Sequence, residues 1–156
     1  MKKLKIYLET SVFGFMLGEQ QTAERTSTEQ LFQEIIGGNL EAYVSTEVVR
    51  ELGKAPEPMR STLLLLIPRY GLKELEVTAE ARALALQYIE AGIIPPKVEP
   101  DALHIAIASA HGLDVVVSWN LQHIVKTRTR LGVNGINKLL GYRELEIATP
   151  QEVIST

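Results

Sequence analysis

Val115-Val116-Val117 is a run of three β-branched residues with no polar side chain alternating between them. A strand that is apolar at every position buries both faces, which happens where helices cover both sides of a parallel sheet. The chain supplies partners for such a strand. Lys5-Ile6-Tyr7-Leu8, Ala42-Tyr43-Val44, Leu75-Glu76-Val77 and Leu145-Glu146-Ile147 all read as short strands. Helical spacing falls between them, first over Thr28 to Ile36, where Leu31, Phe32, Ile35 and Ile36 form a stripe that Gly37-Gly38 stops. Further helices are expected from Ser45 or Thr46 to Leu52, around Leu63 to Ile67 with an end at Pro68, and from Thr78 to Ala91. Three more are expected over Asp101 to His111, with Pro100 in its first turn, over Leu121 to Arg130, and over Gly135 to Leu140. Gly92 through Pro100, with three prolines, reads as a linker. This alternation predicts one α/β domain over residues 1–156, with a mainly parallel sheet.

Composition removes several classes. There is no cysteine, so disulfides, thiol catalysis and cysteine-held metals are excluded, in keeping with a cytoplasmic protein. The longest aliphatic run, Leu63 to Ile67, is far short of the roughly 20 residues of a membrane helix, so no membrane association is expected. The formal net charge is −3, but Val115 to Arg143 holds Lys126, Arg128, Arg130, Lys138 and Arg143 with no Asp or Glu. An acidic body with one basic segment suits local binding of a polyanion, although a solvated basic face would look the same.

Ligands of an open parallel sheet bind beyond the carboxyl ends of its strands. Glu9 ends the first strand, Glu47 and Glu51 lie four residues apart on the helix after the second, Asp101 opens a helix, and Ser118-Trp119-Asn120 follows the valine strand. Oxygen donors gathered at one sheet edge suit a hard cation such as Mg²⁺ or Mn²⁺. Each residue also has a plainer reading: Asp101 as a dipole partner, Glu47 and Glu51 as a solvated face, Asn120 as a cap. His104, one turn after Asp101, either joins that pocket or packs in an apolar helix. Trp119 is either a base-stacking platform or a core residue. No G-x-G-x-x-G, P-loop, G-x-S-x-G or D-x-D motif follows a strand, which removes dinucleotide folds, NTPases, α/β-hydrolases and aspartyl phosphatases.

Four motifs resemble the PIN-domain family. Ile6-Tyr7-Leu8-Glu9-Thr10-Ser11-Val12 is similar to its opening strand and D-T-S, and Val49-Arg50-Glu51-Leu52 resembles the second motif, favouring Glu51 over Glu47. Asp101-Ala102-Leu103-His104-Ile105-Ala106 resembles the third, and Ser118-Trp119-Asn120 stands where the fourth has T-x-D. Together they span residues 4 to about 125. Two positions depart from the pattern: Glu9 stands where the family has Asp, and neutral Asn120 where many members have Asp. The added methylene of Glu9 would carry its carboxylate outward by roughly an ångström, a shift that octahedral Mg²⁺ tolerates poorly.

The resemblance implies a three-layer α/β/α sandwich around a short parallel sheet. It further implies a metal-dependent ribonuclease of the VapC-toxin type, with RNA as substrate, an antitoxin protein as partner and a homodimer as assembly. In that reading Glu9 and Asp101 hold Mg²⁺ or Mn²⁺, while Glu51 and Asn120 complete the catalytic set. Thr10, Ser11, Ser118 and His104 support it, and Trp119, Lys126, Arg128 and Arg130 bind RNA. The alternative is a degenerate PIN domain that binds RNA or a protein without cleaving, which the replacement of Asp by Glu9 favours.

Overall fold

The computed structural model describes residues 2–155, so Met1 and Thr156, the two ends of the expected 1–156 domain, lie outside it. Five strands form one sheet in the order β3-β2-β1-β4-β5: β1 Leu4–Leu8, β2 Leu40–Ser45, β3 Lys73–Leu75, β4 Val115–Val117 and β5 Glu146–Ala148. Every neighbouring pair is parallel, with Ile6 opposite Val115 and Leu8 opposite Val117. All three valines of β4 are buried, as their uninterrupted β-branching demands.

Helices fill every crossover: α1 Ser11–Gly14, α2 Ala23–Ile36, α3 Thr46–Leu52, α4 Met59–Arg69, α5 Ala79–Glu90, α6 Glu99–Ala110, α7 Thr127–Leu140 and α8 Pro150–Val153. They flank the sheet as two sets. Phe13 of α1 meets Phe32 of α2, which meets Tyr70 just after α4, and α8 packs on α2. The other set packs α6 and α7 against α5, tied by a buried cluster in which the Tyr88 hydroxyl donates to Asn137 Oδ1 and lies 3.2 Å from Ser109 Oγ. The three-layer sandwich expected from the sequence is therefore the observed fold.

Chain order places the functional edge. From β1 the chain moves outward to β2 and β3, then returns across the sheet to lay β4 on the other side of β1. Where the order reverses, loops leaving β1 and β4 diverge and open a crevice beyond the strands' carboxyl ends. Glu9 and Ser118 are the first residues past those ends, and the Glu9 N–H donates to the Val117 carbonyl at 3.0 Å.

Several boundaries differ from expectation. The stretch expected as a helix over Leu121 to Arg130 is a compact turn up to Lys126, and one helix then runs without a break to Leu140. Asn120 caps that turn: its Oδ1 accepts from the N–H groups of Gln122 and His123 and its carbonyl accepts from Ile124 and Val125. Gly132 lets the long helix sit close, since a Cβ there would lie 2.7 Å from Ile93. The second helix starts at Ala23, well before Thr28, because Thr22 accepts from the Arg25 N–H and caps it. Pro68 lies inside the last turn of α4, which ends at Arg69. The third strand is Lys73–Leu75, short of Val77, which instead leads into the Thr78 cap of α5. The fifth is displaced by one residue, and the linker before α6 contains a 3₁₀ turn, Pro96–Val98. No helix of the described residues is long and apolar enough to cross a membrane.

Candidate active site

Glu9 leaves a strand whose last three residues are buried, and its own side chain stays in the protein at 6 % exposure. Two hydroxyls hold it there: Ser11 Oγ and Ser118 Oγ each donate to Glu9 Oε1 at 2.6 Å. The same hydroxyl oxygens accept in turn. Ser11 Oγ takes the Trp119 N–H and Ser118 Oγ takes the Asn120 N–H, both at 2.9 Å. The two loops of the crevice are thus stitched together through one carboxylate oxygen. The extra methylene of Glu9 does not swing its carboxylate outward, because these bonds draw it back under the β4 loop.

Asp101 approaches from the third position of α6, and Asn120 Nδ2 donates to its Oδ2 at 3.3 Å. Burial pushes the Asp101 carboxyl above its ordinary range, and the charge of Glu9 pushes it further in that direction. His104, His123 and the Asn120 hydrogen bond oppose the rise without cancelling it.

Glu51 joins from α3, where its Oε1 accepts from Thr10 Oγ1 at 2.5 Å and lies 2.6 Å from His104 Nε2. Burial alone would raise the Glu51 carboxyl, but the bond to His104, its charge, and the Thr10 hydroxyl hold it below the ordinary carboxylate range. His104 is fully buried, which favours neutral imidazole, yet Glu51 and the surrounding carboxylates keep its pKa above the usual value. Its Nδ1 lies 2.6 Å from the Tyr7 hydroxyl, which lies 2.8 Å from Ser45 Oγ. Both hydroxyls can rotate, so this chain is satisfied whether the ring is neutral or charged. His104 therefore combines the two readings of its sequence position, being packed in an apolar helix and bonded to a site carboxylate. Glu47 goes elsewhere: it is buried and accepts a forked pair of bonds from Arg50. Glu47 and Glu51 do not share a solvated face.

The structure brings Glu9, Asp101, Asn120 and Ser118 together, with Thr10, Ser11, Glu51 and His104 in the same hydrogen-bonded region. Trp119 is partly buried, with Nε1 donating to Thr28 Oγ1 at 2.9 Å and its ring 5.5 Å from that of Phe15. Lys126 and Arg128 are exposed at the start of α7. Arg130 is drawn into the fold, donating to the Ile147 carbonyl at 2.8 Å and lying near Glu146 and Glu152. Sequence reasoning passed over Tyr7 and Phe15. The signal for Tyr7 was a hydroxyl in an otherwise aliphatic strand; Phe15 had none beyond closeness to the first motif.

Among the described residues, no group of three His, Cys, Asp or Glu side chains converges closely enough to hold an ion. The oxygen donors at the centre are two carboxylates, since Asn120 turns its Nδ2 toward Asp101 and spends its Oδ1 on the N–H groups of Gln122 and His123. Mg²⁺ commonly takes one or two carboxylates and completes its shell with water and substrate phosphate. Burial first, and the charge of Glu9 second, raise the Asp101 carboxyl, and a dication bound there would oppose both. The residues present fit Mg²⁺ or Mn²⁺.

No protein-family model matches the chain, and no curated protein matches it. Among solved structures, the chain is similar in fold to a chain of VapBC2 from Rickettsia felis, in a crystal structure bound to a DNA fragment from their promoter. The TM-score is 0.61 at 14% identity, over 94% of this chain and 98% of that one. At that identity the likeness concerns the path of the backbone: this chain shares the fold of a component of a VapBC2 complex.

Proposed function

We propose that this protein is a divalent-metal-dependent endoribonuclease, the toxin of a toxin–antitoxin pair acting in the cytoplasm. One observation carries the reading: Glu9, Asp101 and Asn120, from three distant segments, meet at the switch point of the sheet. Similarity in fold to part of a VapBC2 complex adds support for the toxin class and for an antitoxin partner. A homodimer belongs to the same reading, and light scattering tests it.

Glu9 and Asp101 would hold Mg²⁺ or Mn²⁺, which supplies polarisation of the phosphoryl oxygen and acidification of a water for in-line attack. Asn120 orients Asp101, and Ser118 and Ser11 orient Glu9. Glu51, kept ionised by His104 and Thr10, is a carboxylate able to accept a proton or position the attacking water. Lys126 and Arg128 would hold flanking phosphates.

Cleavage of a mixed RNA pool, with and without excess EDTA, tests the reading. Cleavage should require Mn²⁺ or Mg²⁺ and vanish in Asp101→Asn. Turnover in EDTA, or full activity in the variant, refutes it. A binder that does not cleave is the second reading, favoured by the occupation of Glu9 Oε1 by two serine hydroxyls. RNA retention by a protein that shows no cleavage with either metal would establish it.

A further inference from the structure

The strand order puts two side chains able to carry a proton on opposite sides of β1. Glu51 comes from α3, which follows β2, while His123 comes from the turn that follows β4. β2 and β4 are the two neighbours of β1, and Glu9 stands at the end of β1 between them. Glu51 has a task in the proposed hydrolysis; His123 has none.

His123 is anchored through its backbone. Its N–H donates to Asn120 Oδ1 at 3.0 Å, and its carbonyl accepts from the hydroxyl of fully buried Thr129 at 2.9 Å. Ile124 and Val125, which follow it, are buried. The imidazole itself makes no hydrogen bond among the described residues. The residue is partly buried, yet neither ring nitrogen is a buried atom lacking a partner, so both are open to solvent. The Asn120 that takes the His123 N–H donates through its Nδ2 to Asp101, so one carboxamide ties the histidine backbone to an acid of the centre. After burial and the charges of Glu9 and His104, the charge of His123 also acts on the Asp101 carboxyl and lowers it, which puts the ring within electrostatic reach. The other two imidazoles are engaged elsewhere. His104 is buried with both ring nitrogens bonded, and His111 Nδ1 bonds the Ile107 carbonyl at the far end of α6.

In-line hydrolysis of a phosphodiester moves protons at two places. The attacking water gives one up and the leaving ribose oxygen needs one, and the two oxygens lie on opposite sides of phosphorus. Imidazole is the side chain suited to donate a proton near neutrality.

We propose that His123 is the general acid of this hydrolysis, giving a proton to the leaving ribose oxygen while Glu51, from the other side of β1, takes the proton of the attacking water. The water oxygen forms the new bond to phosphorus. The ester P–O bond breaks, its electron pair goes to the ribose oxygen, and that oxygen takes the His123 proton. Exchange with solvent returns a proton to His123 and removes one from Glu51. The proposal rests on the ribonuclease reading for its substrate and for the part played by Glu51.

A short RNA that the wild type cleaves is prepared in two forms. One is unmodified; the other has sulfur in place of the bridging oxygen of the bond that breaks, O3′ or O5′ as the end groups of the products show. A thiol ionises at about 8.5, so a thiolate leaves without needing a general acid. Both forms are assayed with Mn²⁺. His123→Gln and His123→Ala should cut the oxygen form about 100- to 10,000-fold more slowly than wild type, the range for one general acid, and the sulfur form at close to the wild-type rate. Added imidazole should partly restore His123→Ala on the oxygen form. Both variants should keep the wild-type Tm, and their affinity for intact RNA in EDTA, read by fluorescence anisotropy, should be unchanged. Equal slowing on both forms, or an RNA affinity that falls in step with the rate, makes His123 a structural or binding residue and overturns the proposal. Wild-type cleavage of the oxygen form by His123→Ala overturns it while the ribonuclease reading stands. Absence of cleavage by the wild type with either metal removes the ribonuclease reading, and this inference with it.

Discussion

Replacing Glu9 by Asp restores the residue of the family pattern and, from pattern alone, should improve the site. The structure leads to the opposite expectation. Shortening the side chain by one methylene withdraws the carboxylate by about 1.3 Å. Both serine bonds, now 2.6 Å, would stretch to about 3.9 Å, beyond the range of a hydrogen bond. The backbone cannot follow, because the Glu9 N–H is bound to Val117 and its carbonyl accepts from Val12. Ser118 is fully buried, so its hydroxyl would lose its acceptor in a place that water does not reach. At roughly 1.5–3 kcal/mol for each hydrogen bond to a charged group, less what relaxation recovers, the loss is about 3 kcal/mol. For a chain of this size that lowers Tm by about 6–12 °C, readable by calorimetry. Mg²⁺ affinity, measured by isothermal titration, should fall by about tenfold or more, as when a ligand loses its orienting partners. Glu9→Gln keeps the length and an acceptor, so it should lose ion binding with a much smaller change in Tm. An Asp variant with unchanged Tm and tighter Mg²⁺ binding would refute the reasoning.

Asp101→Asn should raise Tm while abolishing cleavage, because burial and Glu9 both disfavour the charge it removes; thermal melts with a cleavage assay check both. His104 has a raised pKa in the folded state, so its ionic contribution to stability is complete below the unfolded value near 6.5 and is lost as pH rises through the folded value. Glu51, with a lowered pKa, loses its contribution as pH falls through its folded value. Denaturant titrations should therefore show wild-type stability falling on the alkaline side, and His104→Gln should remove that slope. Ala at both Lys126 and Arg128 should flatten the log–log salt dependence of single-stranded RNA binding by about 1.4, equally for all sequences; an unchanged slope would place these residues away from RNA.

Much of this arrangement was legible because it follows from strand ends. Glu9 and Ser118 each follow the last residue of a buried strand, and two parallel neighbours must bring such residues side by side. Asp101 was legible as an acid opening an apolar helix, with Asn120 beside Ser118. The partition of Glu47 from Glu51 depended on Thr10 and His104, partners of Glu51 far away in sequence that helical spacing does not report, while Glu47 pairs with Arg50 one turn along its own helix. The turn after Asn120 was missed because Leu121 to Arg130 has helical periodicity, whereas the chain makes a single turn capped by Asn120 and the long helix starts only at Thr127. Arg130 counted as one of a basic cluster, whereas the position of β5 turns it inward. Phe15 could not be found, since the indole it meets comes from the loop after β4, far along the chain.

The strand order also fixes when the site can exist. Ser11 lies two residues from Glu9, but the second hydroxyl that holds this carboxylate is Ser118, so more than two thirds of the chain must leave the ribosome before both bonds can form. Asp101 and Asn120 come from the same late stretch, and β1 stays without its inner neighbour until β4 arrives. Closing such distant pairings is slow compared with forming local helices. On the ribonuclease reading proposed above, a nascent chain would lack its assembled site through most of its synthesis, and the interval before β4 closes against β1 would be the window in which an antitoxin could meet it before it cleaves RNA.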